Sequence, residues 1–341
     1  MNPPPRLAVQ PTLGVAEPAH AGRAFVRDLN EGDRVEAAFA VRERSRMSRR
    51  SGDDFARLIV SDRTGSLEAV AWDDVEDVFE LAEPGSVVFI DGTFSVHPQF
   101  GAKVTIRSLH RADPEEYDEA DLIAGSPVPV DRLEADLRDL IATVQDRDLT
   151  RLLDRFFAPG SKTWERFRDA PAAKYYHQAY AHGLLEHSVS VAQAVSAAAA
   201  AFPGIDRDLA VTGALLHDIG KTEAYNSDPM AIDLTDSGRL LGEIPIGYYM
   251  VRREIEMITG FDPELAQAVL HIVLSHHGAL EHGSPVVPAT REATLVHMMD
   301  NLGGKLGSFD RIERELPDGQ AWSKFDRGLS SAAYFSGRHA A

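Results

Sequence analysis

Cysteine is absent from this chain of 341 residues, which excludes disulfide frameworks, thiolate zinc sites and cysteine nucleophiles together. Any metal centre has to be built from histidine and carboxylate. No apolar run approaches the roughly 18 to 20 residues that cross a bilayer, so no membrane partner is expected. The start, MNPPPRLAVQPTLGVAEPAH, lacks the basic-then-apolar plan of a secretory leader, and a reducing cytoplasm is the expected compartment. Positive charge is also short: 35 Lys and Arg stand against 53 Asp and Glu, a formal net charge of -18. That balance argues against a protein that coats nucleic acid electrostatically. What is there is the composition of a soluble globular protein, with 44% hydrophobic and 26% charged residues, at a length that suits two domains.

Residues 1–22 are rich in Pro and Ala without periodicity and are expected to form a disordered arm. From 23 to 111 short alternating runs predict five strands: RVEAAFAVRER, DFARLIVSD, GSLEAVAWD, SVVFIDGTFSV and AKVTIRSLH. Between the third and fourth, Val75, Val78, Phe79 and Leu81 recur at helical spacing until Pro84-Gly85 stops the segment. Three strands, a helix and two strands in this order resemble an OB-fold, a small barrel that binds oligonucleotides through one face and two loops. The first of those loops is expected in VRERSRMSRRSG, which carries Arg42, Arg44, Arg46, Arg49 and Arg50. The other, SVHPQFGAK, offers Phe100 beside Lys103, an aromatic next to a cation, and Phe94 adds to the candidate binding face. Trp72 and Phe39 read as barrel core.

Residues 112–130 are acidic and then Gly/Pro-rich, as in a domain linker. Beyond them, 131–310 read as helix, beginning with the stripe Leu133, Leu137, Leu140, Ile141 and Val144. Further helices are expected at about 162–178, 183–201, 206–219, 245–259, 263–277 and 290–306. The alternation in MAIDLTDSGRLLGEI predicts a small β-hairpin around Asp236-Ser237-Gly238. Residues 311–341 are set apart as a C-terminal tail. The expected architecture is multidomain α and β, a small N-terminal barrel followed by an all-α bundle carrying one hairpin.

Nine of the 13 histidines fall between residues 177 and 297. In GALLHDIGK an apolar helix ends in His217-Asp218 and is terminated by Gly220 before Lys221. His187, either His276 or His277, and Asp300 each sit on a separate predicted helix, the way a bundle builds a metal centre in its core. Imidazole and carboxylate without thiolate suit Mn, Fe, Zn or Mg at a hydrolytic site. His182, His271, His282 and His297 read as core or rim histidines.

A lone His187, then His217-Asp218 with Lys221, then His276-His277, then a distal Asp300 resembles the HD-domain phosphohydrolase superfamily. The phrases GLLEHSVSVA, GALLHDIGK, HIVLSHHGALEHGSP and EATLVHMMDNL, behind an OB-like domain, look like the YhaM-type 3'-5' exoribonucleases. The resemblance implies that His187, His217, Asp218 and Asp300 hold one divalent ion. Asp218 would bridge to a second ion held by Glu243 and His276, with Mn foremost and Mg, Fe or Zn as alternatives. His277 is then a ligand or a group beside the leaving oxygen, and Lys221 holds a phosphate oxygen. The family has a histidine where this chain has Glu243, so the second site is either kept with an oxygen ligand or weakened. The implied partner is single-stranded RNA or DNA, and the implied products are nucleoside 5'-monophosphates; a homo-oligomer is left open. Competing readings are a phosphohydrolase of nucleotides or cyclic dinucleotides, and a non-catalytic nucleic-acid-binding protein with a degenerate metal site. The charge objection softens on inspection: residues 23–111 hold 13 basic and 16 acidic side chains, so most of the negative charge lies elsewhere.

Overall fold

A computed structural model describes residues 24–49, 52–97, 101–174, 178–316 and 319–336. The N-terminal arm and Arg50, Phe100 and His177 lie outside the described residues. Strands β1 (Arg34–Ser48), β2 (Asp54–Asp62), β3 (Gly65–Ala71), β4 (Val87–His97) and β5 (Gly101–Arg111) close into a barrel in the order β1-β2-β3-β5-β4. Alternation drives the closure: Val35, Phe39, Leu58, Val60, Leu67, Val88, Ile90, Val104 and Ile106 point inward and are buried. Each such side chain contributes about 1.5–3 kcal/mol on leaving water. β1 is long enough to serve two neighbours, pairing with β4 over Arg34–Ala40 and with β2 over Ala40–Ser48. Its register with β2 shifts between Val41 and Glu43, so Arg42 is the extra residue of a bulge that bends the strand. Helix α1 (Val75–Leu81) lies between β3 and β4 and buries Val78 in the barrel core. The order of strands and helix is the expected one, and the barrel is closed.

The second half is helical: α2 (Val130–Ala142), α3 (Arg147–Phe157), α4 (Lys162–Asp169), α5 (Gly183–Ala199), α6 (Arg207–Leu216), α7 (Lys221–Ala224), α8 (Asp236–Leu241), α9 (Glu243–Glu256), α10 (Pro263–Ser275) and α11 (Arg291–Glu315). Side chains of Asp146, Ser161, Asp206, Thr235, Asp262 and Thr290 accept N–H bonds at the first turns and fix where six of these helices start. α6 is buried from Leu209 to Leu216 and packs against α5, α10 and α11. A helix apolar on every side belongs in the centre of a bundle.

Three expectations are corrected. The hairpin at 236–238 is helix α8, because the Thr235 hydroxyl accepts from the Gly238 N–H and starts a helical turn where alternation predicted a β-turn. The isolated bridge nearby, Tyr225 with Leu234, lies before that turn. The helix predicted over 162–178 stops at Asp169, since Pro171 forces the preceding Ala170 into extended backbone. The 112–130 segment is not a loose tether: Leu122 is buried against Ala38, Ala40 and Val87 on the outside of the barrel, and Asp121 pairs with Arg63 at 3.3 Å.

Across the junction Lys174 pairs with Glu43 of β1 at 2.9 Å and with Asp233 at 3.1 Å. α11 continues past residue 310, and Arg311 near its end holds Asp326 of the following segment at 2.5 Å. No helix among the described residues is long and apolar enough to cross a membrane.

Candidate metal centre and nucleic-acid interface

α6 and α10 both end at the same level of the bundle, and each is followed by histidine: His217-Asp218 after Leu216, His276-His277 after Ser275. The two helices approach closely because residue 213 has no side chain. A Cβ there would lie 2.5 Å from Ile272 Cδ1. Gly213 and Ile272 each stand four residues before a histidine, His217 and His276, so the contact sits one helical turn below the site on both helices. Gly220 does the same for α9: a Cβ would lie 2.0 Å from the Glu243 carbonyl, and without one the start of α9 abuts the His217–Lys221 turn. α5 and α11 supply His187 and Asp300 from the side.

The predicted ligands therefore meet in two groups, His187, His217 and Asp300, and Asp218, His276 and His277. In the first, His187 Nε2 is 3.3 Å from His217 Nε2 and 3.1 Å from Asp300 Oδ1. Asp218 Oδ2 lies 3.5 Å from His187 Nε2 and 3.3 Å from His217 Nε2. Ligand atoms about 2.1 Å from a common ion stand about 3.0–3.5 Å apart in octahedral or tetrahedral geometry, which is the spacing seen. In the second group Asp218 Oδ1 faces His276 Nε2 at 3.4 Å, and Glu243 Oε1 is 3.9 Å from His277 Nε2.

Two observations show that these residues fit a divalent cation. Asp218 Oδ1 and His276 Nε2 are buried and have no hydrogen-bond partner, a state that ordinarily costs a few kcal/mol unless a ligand completes it. The histidine tautomers are also set for ligation. The Nδ1–H of His217 donates to the Ala214 carbonyl at 2.7 Å, that of His276 to Val273 at 2.8 Å and that of His277 to His282 at 2.9 Å. Each Nε2 lone pair then points into the site.

Burial by itself disfavours the Asp218 carboxylate, yet the charge of Lys221, and after it the neighbouring His217 ring, hold its pKa well below the usual carboxylate range. Burial likewise opposes ionised Asp300, and bonding to His187, with His217 beside it, overrides it, so Asp300 is also lowered. Lys221 Nζ lies 2.7 Å from Asp218 Oδ2; burial works against its charge and Asp218 more than restores it. Burial, and then His276 beside it, lower the pKa of His277 and keep it neutral. The remaining histidines serve elsewhere: His182 Nδ1 bonds to the Arg168 carbonyl, His271 Nε2 accepts from the Ala289 N–H and His297 Nδ1 bonds to the His276 carbonyl.

Residues 184–304 match the HD domain family and residues 40–110 match the OB-fold nucleic acid binding domain. The chain is 30% identical over 291 residues to the 3'-5' exoribonuclease YhaM of a Geobacillus species, covering 85% of this chain and 88% of that one. It is likewise 30% identical over 289 residues to the Bacillus subtilis protein of the same name, covering 84% and 90%. A third, from Oceanobacillus iheyensis, is 30% identical over 295 residues, covering 85% and 90%. The chain belongs to the YhaM family. Its HD half brings His187, His217 and Asp300 together in one group and Asp218, His276 and His277 in another, and Glu243 stands beside His277.

The barrel of this YhaM-family chain arranges its expected contacts differently. Arg42, Arg44 and Arg46 are on strand β1, which runs to Ser48, and not in a loop. Arg42 donates to the Lys174 carbonyl at 3.5 Å in the junction. Arg44 lies over the Phe79 ring at 4.4 Å and donates to the Phe79 carbonyl, while Arg46 pairs with Glu76 at 2.7 Å. Three of the five arginines thus serve the junction and α1. Phe94 is buried in the barrel core and is no part of a binding face. Its place in the series Val88, Ile90, Gly92, Phe94 already gave it the inward phase.

Trp72 was missed in the opposite sense. Leu67, Ala69 and Ala71 point inward, so Trp72 turns out of the barrel; Phe55, preceding the inward Ala56 and Leu58, does the same. Their ring centroids are 4.8 Å apart. Arg49 lies 4.3 Å over the Trp72 ring and Lys103 lies 5.3 Å from its centroid.

Proposed function

We propose that this chain is a metal-dependent 3'-5' exoribonuclease that hydrolyses the phosphodiester bonds of single-stranded RNA to nucleoside 5'-monophosphates, with single-stranded DNA as a second candidate substrate. The observation that carries the reading is the pair of ligand groups meeting at one buried carboxylate, Asp218, in a chain of this family.

In this proposal His187, His217, Asp218 and Asp300 would hold one divalent ion, and Asp218, His276, His277 and Glu243 would hold a second. Each set joins two imidazoles to two carboxylates without thiolate, a donor mixture that suits Mn, Fe, Zn or Mg. When bound, the ions polarise the phosphodiester and lower the pKa of water for in-line attack. The protein does the rest. Carbonyls of α6 and α10 lock the imidazole tautomers, so no proton has to move before ligation. The apolar walls of α5 and α6 keep bulk water from the carboxylates and strengthen their pull on cations. Lys221 neutralises Asp218 and is placed to hold a non-bridging phosphate oxygen. On the barrel, Arg49 and Lys103, carried on the Trp72 ring, attract the backbone of the incoming strand.

The test uses purified protein with Mn and single strands labelled at either end. A ladder from the 5'-labelled RNA with immediate mononucleotide from the 3'-labelled RNA is expected. Release of mononucleotide from the 5' label, or hydrolysis of free nucleotides alone, would overturn the proposal.

A further inference from the structure

The outward pair Phe55 and Trp72 borders an open depression of about 470 Å³ whose other walls are Arg49 and Asp73, and Lys103 reaches the Trp72 ring from β5. Other barrel cations are neutralised: Arg46 by Glu76 at 2.7 Å, Arg57 by Glu68 at 2.6 Å and Arg107 by Asp91 at 3.5 Å. Among the described residues Arg49 and Lys103 have no carboxylate partner and are carried instead on an indole face. A cation resting on an aromatic ring keeps its charge available to a further ligand and is held in place while waiting for it.

Three chemistries meet here: two aromatic faces, two unneutralised cations and one carboxylate. A phosphate alone would use the cations but would be repelled by Asp73 and would waste the rings. An apolar group would leave Arg49 and Lys103 desolvated without a partner. A nucleotide uses all three. Its base stacks against the rings, its flanking phosphates meet the cations, and its edge faces a group that only accepts hydrogen bonds.

We infer that Phe55, Trp72, Arg49, Lys103 and Asp73 form a seat for one unpaired nucleobase of the RNA, and that Asp73 selects bases bearing an exocyclic amino group. Adenine, cytosine and guanine can donate to the Asp73 carboxylate; uracil presents two carbonyl oxygens and an imide N–H, so its edge is largely repelled. The inference rests on the exoribonuclease reading and adds to it a place on the barrel that gives the enzyme a base preference at a nucleotide remote from the one being cleaved. Loss of stacking is worth roughly 5-fold to 100-fold in affinity per base, so the seat is strong enough to decide which strands are retained.

The experiment measures binding of 5'-labelled oligo(A), oligo(C) and oligo(U) of equal length to the full chain in EDTA, where turnover is stopped, by fluorescence anisotropy. Hydrolysis of bis(p-nitrophenyl) phosphate in Mn serves as the control for the metal centre. The expected results are tighter binding of oligo(A) and oligo(C) than of oligo(U), a loss of about 10-fold or more in Trp72→Ala, and an A-over-U ratio that collapses in Asp73→Asn, all with unchanged diester hydrolysis. Trp72→Phe keeps the stacking surface and is expected to keep most of the affinity, which separates stacking from misfolding. Equal binding by wild type and Trp72→Ala overturns the seat, and equal binding of oligo(A) and oligo(U) by wild type overturns the role of Asp73. Both results leave the nuclease reading standing. If wild type hydrolyses the small diester but neither binds nor shortens RNA, the nuclease reading itself falls.

Discussion

The two halves of the molecule handle charge in opposite ways. In the helical half, carboxylates and imidazoles are buried at the ends of apolar helices, and two of their polar atoms, Asp218 Oδ1 and His276 Nε2, are left without a partner. In the barrel, the charges are at the surface and nearly all are neutralised by neighbouring side chains or carried on aromatic rings. The contrast separates two kinds of binding. Buried unpaired ligands define one site of high affinity and fixed geometry. Exposed cations on aromatics define a distributed surface in which each contact is weak and salt-sensitive. Substitutions in the first half should therefore act all-or-none, and those in the second should be graded.

The largest effect is expected at the shared carboxylate. Asp218→Asn should lower turnover on the order of 10³-fold or more while far-UV circular dichroism keeps its helical signal. A loss of less than tenfold would show that the two ligand groups do not act through Asp218.

Metal removal comes next. A cation at 100 times its Kd adds about 2.7 kcal/mol, and in a domain of this size that is a shift of roughly 5–10 °C in Tm. Thermal unfolding followed with Mn and with EDTA should show that shift in the transition of the helical half and none in the barrel.

Gly213→Ala probes the geometry without touching a ligand. Forcing a methyl against Ile272 should cost about 1–3 kcal/mol of stability and should reduce Mn affinity, measured by titration calorimetry, because His217 and His276 are pushed apart. Ile272→Val in the same chain should recover part of both. Additive losses in the double variant would rule out the contact as the source.

On the barrel, Arg49→Ala with Lys103→Ala should flatten the slope of log affinity against log salt by about 1.4, taking about 0.7 per phosphate contact on a single strand. Hydrolysis of a dinucleotide should be unchanged. An unaltered slope would remove these two cations from the strand path.

The smallest effect concerns the bridge between the halves. Burial raises the Asp233 pKa, but the bond from Lys174 outweighs it, so the folded value lies below the unfolded one. Its contribution is therefore present above the ordinary carboxylate pKa of about 4 and is lost as pH falls through the folded value. The pair is partly exposed, and a surface pair contributes at most about 1 kcal/mol. Urea unfolding between pH 3 and pH 6 of wild type and Asp233→Asn should differ only toward the upper end of that range.

Much of this organisation can be read from spacing. Period-two alternation located all five strands, and the His217-Asp218, His276-His277 and Asp300 pattern picked out side chains that the fold brings together, because both signals are local or carried by rare residue types. The misses have a shared cause in phase and context. The OB-fold resemblance puts the arginines of VRERSRMSRR in the first loop, whereas β1 runs on to Ser48 and pairs twice. Trp72 is expected in the core although its alternation phase turns it outward, and Phe94 is expected outward against its phase. Thr235 was a helix cap hidden in an alternating stretch. The close approach of α6 and α10 has no signature in a single sequence, since any glycine in an apolar helix reads as tolerated disorder of the pattern until the partner helix is known.

α6 and α10 both direct their carboxyl ends at the same point. The macrodipole of each helix places about half a negative charge at that end, and here it adds to the carboxylates of Asp218, Asp300 and Glu243. The pocket thus attracts cations and repels RNA phosphate. A bound divalent cation would reverse that sign locally, so a strand should be drawn to the pocket far more weakly in EDTA than in Mn.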